Sequence, residues 1–165
     1  MNISQIKLMN MKIKIKVLTE GCMPEIIEKG DWIDLKVAKN VKLEVNTSKV
    51  NLLPLGVAMK LPEGFEAIVA ARSSTPSKLG IICANALGII DNSFMGNKDE
   101  WKFPAIAIKD TTIKKGTRIC QFRIQLSQKA TIWQKIKWLF SNKIELVQVD
   151  NLSDNNRGGI GSTGD

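Results

Sequence analysis

Asp91 follows the apolar pair Ile89–Ile90 and precedes the turn-forming stretch "NSFMGNKD", so its carboxylate is held at the rim of a strand. Three residues on, Phe94 can cover the face of a sugar or a base. Asn85, in "CANALGIIDNSFMGN", carries a donor and an acceptor on one amide and suits the polar edge of a base. Upstream, "AARSSTPSKLG" sets Arg72, Ser73 and Ser74 at the end of an apolar strand, where hydroxyls and freed backbone N–H groups can converge on an anion. Alone, Ser-Ser-Thr-Pro is also ordinary turn chemistry.

The segment "RGGIGSTGD" raises the same anion question. Gly158, Gly159, Gly161 and Gly164 make it costly to order. Arg157, Ser162, Thr163 and exposed backbone N–H groups are donors suited to phosphate oxygens. Such a segment is either frayed or ordered by what it binds. There is no histidine in the chain, which excludes Ser-His-Asp and Cys-His chemistry and histidine-ligated metals. A general base must then be Asp, Glu or Lys, and a metal would be a hard one on oxygen ligands.

Short strands must position these groups. "KIKIKVL" alternates, and "VKLEV", "FEAIVAA", "LGIICA", "FPAIAI", "RICQFRI" and "IELVQV" are short apolar or alternating runs separated by turn signals. The pattern predicts one all-β domain, a barrel or jelly-roll-like sandwich. "VNLLPLGVAMKLPEG", with Pro54 and Gly56, reads as a bent or edge strand. One stretch differs. In "TIWQKIKWLFSNK" the residues Ile132, Trp133, Ile136, Leu139 and Phe140 recur at helical spacing, which predicts a short amphipathic helix before the last strand. Its apolar stripe ordinarily faces its own core; the alternative is a partner-binding helix.

The chain of 165 residues carries a net charge of +8, which invites a nucleic-acid reading. However, lysines alternating with isoleucines describe the solvent face of a strand, and there is no tyrosine, RNP-type pattern or zinc finger. A small polyanion fits the charge equally well, so no nucleic-acid polymer is expected as the ligand. Apolar runs are too short for a helical membrane span. Three scattered cysteines fit neither a disulfide framework nor a zinc cluster, which points to a reducing, cytoplasmic setting.

In order along the chain, "DWIDL", "ARSST", "NALGIIDNSFMGN", "GTRICQ" and "RGGIGSTG" resemble the five motifs of the trimeric dUTP pyrophosphatase (dUTPase) family. They span about Gly30 to Gly164, and "GDWIDL" and "RICQFRI" are most similar to dUTPases of Gram-positive bacteria and their phages. The resemblance implies hydrolysis of dUTP to dUMP and pyrophosphate, with Asp91 activating the water that attacks the α-phosphorus. It implies Mg²⁺ on the triphosphate, touched through a water by Asp34. Arg72, Ser73, Ser74 and Gln121 would hold phosphates, joined by Arg157, Ser162 and Thr163 as residues 157–165 close over the nucleotide. Asn85, Gly88, Ile90 and Asp91 would line the uracil and deoxyribose site, with Phe94 on the sugar and Ile160 over the base.

The family usually has tyrosine where Phe94 stands and an aromatic where Ile160 stands. Trp101 is one candidate to cover the base instead, although core or interface packing is the commoner role of such a residue. The resemblance further implies a homotrimer with shared sites and a β-domain over residues 11–156; Met11 before "KIKIKVL" is an alternative start, which makes residues 1–10 an expected extension. The alternative reading makes the helical insert near 130–143 a surface for a regulatory protein, in a nucleotide-responsive role compatible with catalysis. The dCTP deaminase branch of the fold relies on a glutamate that "FPAIAI" lacks.

Overall fold

The computed structural model describes residues 9–158. Its strands are β1 (Met9–Val17), β2 (Glu25–Ile26), β3 (Ile33–Lys36), β4 (Val41–Leu43), β5 (Asn46–Pro54), β6 (Val57–Lys60) and β7 (Phe65–Ala71). They continue with β8 (Ile81–Cys83), β9 (Gly88–Ile90), β10 (Lys102–Ala107), β11 (Thr111–Ile113), β12 (Arg118–Leu126) and β13 (Ser141–Gln148). Among the described residues one α-helix, α1 (Ile132–Leu139), lies between β12 and β13.

Alternation explains β1: Met11, Ile13 and Ile15 are buried while Lys12 and Lys14 face solvent. The strands form four sheets, ordered β13-β1-β6, β5-β10-β8, β11-β4 and β2-β3-β12-β7-β9. β1 runs parallel to β13, with Met11 opposite Ile144; the other pairings are antiparallel. One apolar core draws on all four sheets, including Ile13, Phe103, Ile113 and Phe122. This is the expected all-β, jelly-roll-like architecture.

"VNLLPLGVAMKLPEG" is both bent and at an edge. It breaks at Leu55–Gly56 into β5, an edge strand, and β6. Gly56 has φ 69°, and an added Cβ would lie 2.9 Å from Cys22 and Thr19, so the bend requires glycine. β1 begins at Met9, two residues inside the expected extension; residues 1–8 lie outside the described residues.

The helix forms where expected, started by a capping box. Gln134 N–H donates to the Thr131 hydroxyl, and Thr131 N–H donates to Gln134 Oε1 at 2.8 Å. Its docking departs from the ordinary expectation. Ile132, Trp133 and Leu139 are 64%, 75% and 76% exposed, so the stripe does not face the chain's own core. Trp138 docks the helix instead, edge-on to Phe65 at 5.2 Å. The helix is two turns long and leads directly into β13, whose pairing with β1 fixes its exit and turns the Trp138 side inward.

Candidate functional site

Strand register gathers one group of polar residues at one end of the five-stranded sheet. Asp34 on β3 lies opposite Gln121 on β12, which lies opposite Ala70 on β7, just before Arg72, Ser73 and Ser74. Asp34 is 2% exposed. Its Oδ1 faces Arg72 Nε at 3.0 Å and its Oδ2 accepts from Arg118 Nη1 at 3.2 Å. Burying that charge is tolerable because both oxygens are paired.

Between Arg118 and Cys120 the register shifts by one residue, a bulge at Ile119. The Thr75 hydroxyl donates to the Ile119 carbonyl at 2.7 Å and pins the "ARSST" turn to β12. Ser74 precedes a single π-type turn, Thr75–Leu79, yet its hydroxyl makes no cap hydrogen bond. That leaves the hydroxyl to donate elsewhere, beside the exposed Ser73.

A second group lies around β9. Its register is Gly88 opposite Val69 and Ile90 opposite Ala67. A Cβ added at Gly88 would meet Val69 Cβ at 3.4 Å. In the turn before β9, Ala86 has φ 59°, a left-handed conformation that costs a non-glycine residue about 1–2 kcal/mol. Asn85 is exposed in the same turn, and its Oδ1 accepts from the Cys83 thiol at 3.0 Å. Ile90 and Phe94 are half-buried against the core.

Asp91 sits just past β9. Its Oδ1 accepts from Ser93 N–H at 2.8 Å and from the Ser93 hydroxyl, and its Oδ2 from Arg157 Nη1 at 2.7 Å. Partial burial pushes the carboxyl up, but the Ser93 bonds and then Arg157 outweigh it and hold the group below the ordinary carboxylate range. It is therefore ionised at neutral pH. Arg157 is expected to hold phosphate as the tail closes; here its guanidinium meets Asp91 of its own chain.

Asp91 and Arg72 do not meet within one chain. Ile90 pairs with Ala67 in the antiparallel ladder, so Asp91 lies at the level of Glu66, and Arg72 stands six residues further along β7 and its end, about 20 Å away at ~3.3 Å per residue. Ile160, Ser162 and Thr163 lie outside the described residues. Trp101 is fully buried, edge-on to Phe122 at 5.2 Å, so it packs the core and does not cover a ligand.

Residues 32–164 match the family model described as dUTPase. The chain belongs to the dUTPase family. It is similar to the SPbeta prophage-derived deoxyuridine 5'-triphosphate nucleotidohydrolase of Bacillus subtilis, with 48% identity covering 93% of this chain and 99% of that one. The deoxyuridine 5'-triphosphate nucleotidohydrolase of Rickettsia prowazekii is 33% identical over 93% of this chain and 97% of its own length. In fold the chain resembles the dUTPase from Streptococcus mutans, with TM-score 0.63 and 21% identity over 72% of this chain and 98% of that one. It also resembles a mutant dUTPase from phage phi11 of S. aureus, with TM-score 0.62 and 18% identity over 73% and 94% of the two chains. Those two likenesses bear on the fold alone. The expected affinity with dUTPases of Gram-positive bacteria and phages is borne out.

Within this dUTPase the residue that sequence reading missed is Arg118. It is part of the quoted "GTRICQ", but its pairing with Asp34 depends on a register that no local pattern reveals. Among the described residues no three Cys, Asp or Glu side chains cluster to chelate a metal. Each Asp34 oxygen accepts one contact from an arginine N–H and retains a second lone pair. That donor set fits an outer-sphere contact to a hydrated Mg²⁺, not a protein-built cage. The thiols of Cys22, Cys83 and Cys120 are pushed up by burial and stay protonated at neutral pH. No helix among the described residues is long and apolar enough to cross a membrane.

Proposed function

We propose that this protein hydrolyses dUTP to dUMP and pyrophosphate in a homotrimer whose sites combine residues of different chains. The observation that carries the reading is Asp91, held ionised at the end of β9 in a chain of the dUTPase family. Asp91 takes a proton from a water; the oxygen forms a bond to the α-phosphorus while the bond to the pyrophosphate oxygen breaks. Arg72, Ser73, Ser74 and Gln121 hold the phosphate chain, and Arg157, Ser162 and Thr163 join them from the tail. Asn85, Gly88 and Ile90 read uracil's edge, with Ile160 over the base. Asp34 would hold a water of Mg²⁺, which when bound neutralises charge on the triphosphate.

Asp91 and Arg72, about 20 Å apart in one chain by strand register, support a shared site. An exposed apolar sheet face supports assembly: Leu52 opposite Pro104 and Ile82 opposite Ile106 point away from the core. The deciding assay is pyrophosphate release from dUTP, with dTTP, dCTP and UTP alongside, with and without Mg²⁺. Selective, metal-dependent release from dUTP supports the reading; no release from a folded trimer sinks it.

Phe94 is assigned to the deoxyribose, where its ring leaves no room for a 2′-hydroxyl. Phe94→Ala is expected to erode the preference for dUTP over UTP by about 10–100-fold in kcat/KM. Undiminished selectivity would remove Phe94 from the sugar pocket.

A second reading, a regulatory protein partner on the insert, is favoured by the exposed stripe on α1. Trp133→Ala with Leu139→Ala is expected to leave turnover and trimer mass unchanged while making the surface less apolar, read as weaker binding of a hydrophobic dye. Dissociation of the trimer in this variant would assign the stripe to subunit contact instead.

A further inference from the structure

Asp99 carries no part of the chemistry above, yet it is a carboxylate only 2% exposed. Its partners are backbone N–H groups rather than a cation. Oδ2 accepts from Gly96 at 2.8 Å and from Arg157 at 3.0 Å, and Oδ1 accepts from Gly158 at 3.3 Å. Charged acceptors make the stronger class of hydrogen bond, and a buried carboxylate needs them all. One donor belongs to the loop that carries Asp91 and Phe94; the other two belong to the root of the tail.

Neighbouring bonds tie the same two segments. Asn97 N–H donates to the Ser153 carbonyl at 2.8 Å, Leu152 N–H to Asn97 Oδ1 at 2.9 Å, and Lys98 N–H to Asn156 Oδ1 at 2.7 Å. Gly96 lets them approach: an added Cβ would stand 2.7 Å from the Asn155 carbonyl oxygen and nearer still to Asn156 Oδ1. Arg157 leaves this junction with its guanidinium on Asp91.

We propose that Asp99 is a positioning residue for dUTP hydrolysis: its carboxylate fastens the root of the tail to the loop bearing Asp91 and so sets where Arg157 acts. This rests on the reading that Arg157 contacts the substrate. Asp99→Asn keeps size but replaces one acceptor oxygen by an N–H₂ group facing N–H donors.

Trypsin cleavage between Arg157 and Gly158 tests the fastening without reference to activity. Release of the peptide beginning at Gly158 is expected to be about tenfold faster or more in Asp99→Asn, since local opening exposes that bond. Kinetics then test the positioning. Asp99→Asn is expected to lower kcat/KM for dUTP by about tenfold. It should leave inhibition by dUMP unchanged, because dUMP lacks the outer phosphates, and cause no further loss when added to Arg157→Ala. Gly96→Ala, which keeps the carboxylate but forces the same junction apart, is expected to reproduce both effects. Unchanged cleavage, or losses that multiply with those of Arg157→Ala, would overturn the proposal. Should Arg157→Ala alone leave turnover intact, the substrate role of Arg157 fails, and with it the positioning; the cleavage rate still decides the fastening.

Discussion

Replacing Asp91 with asparagine is expected to lower kcat for dUTP by about 10²–10⁴-fold, the range a positioned general base contributes. The amide keeps the shape of the carboxylate and can still accept from Ser93 at one oxygen. It cannot take a proton from water, and its N–H₂ group faces Arg157 where an oxygen accepted before. Nucleotide binding should change far less than turnover, so the loss appears in kcat and not in the dUMP inhibition constant. A variant retaining more than about a tenth of wild-type kcat would remove Asp91 from the role of base. The pH profile follows in sign. The carboxyl lies below its unfolded value of about 3.9, so kcat/KM should stay level through neutral pH and fall only below that range. The stabilisation from its ionised contacts is likewise present above about pH 3.9 and is lost as pH falls through the lowered value.

The second large effect is expected from Arg157→Ala: a fall in kcat/KM for dUTP of about 10²–10³-fold, comparable to removing one preorganised donor from a developing charge. Thermal stability and trimer mass should not move, because the side chain's one ion pair is with the half-exposed Asp91 and the root is held through backbone N–H groups that alanine retains. The same substitution takes a cation from beside Asp91, so the acid limb of kcat/KM should shift upward, toward the ordinary carboxylate range. Kinetics unchanged from wild type would end the account of Arg157 as a phosphate ligand.

What the sequence made legible was local. Alternation in "KIKIKVL", the breaker Gly56 and the helical spacing after Thr131 each predicted an element that forms. The strand β3 was legible only as part of "DWIDL", since Ile33, Asp34 and Leu35 are all buried and no polar alternation remains. The helix was placed correctly and oriented wrongly: a stripe at helical spacing identifies the apolar face, but the pairing of β13 with β1 decides which way it turns. In the site, single residues with distinctive local surroundings such as Asp91 and Asn85 stood out. Arg118 and Asp99 did not, because their meaning lies in partners 84 and 58 residues away.

Asp34 also acts as a proof-reader of strand alignment. Its carboxylate is satisfied only when β3, β7 and β12 arrive together, since one arginine follows β7 and the other opens β12. A slip of β12 by one residue would turn Arg118 to the other face and leave a buried charge half-compensated. Removing one partner from a fully buried ion pair costs about 3–5 kcal/mol; here Arg72 and Arg118 are partly exposed, so the penalty is smaller than that. Misaligned chains are thus penalised at Asp34, a residue proposed above for the metal's water, and at Arg72, proposed for phosphate.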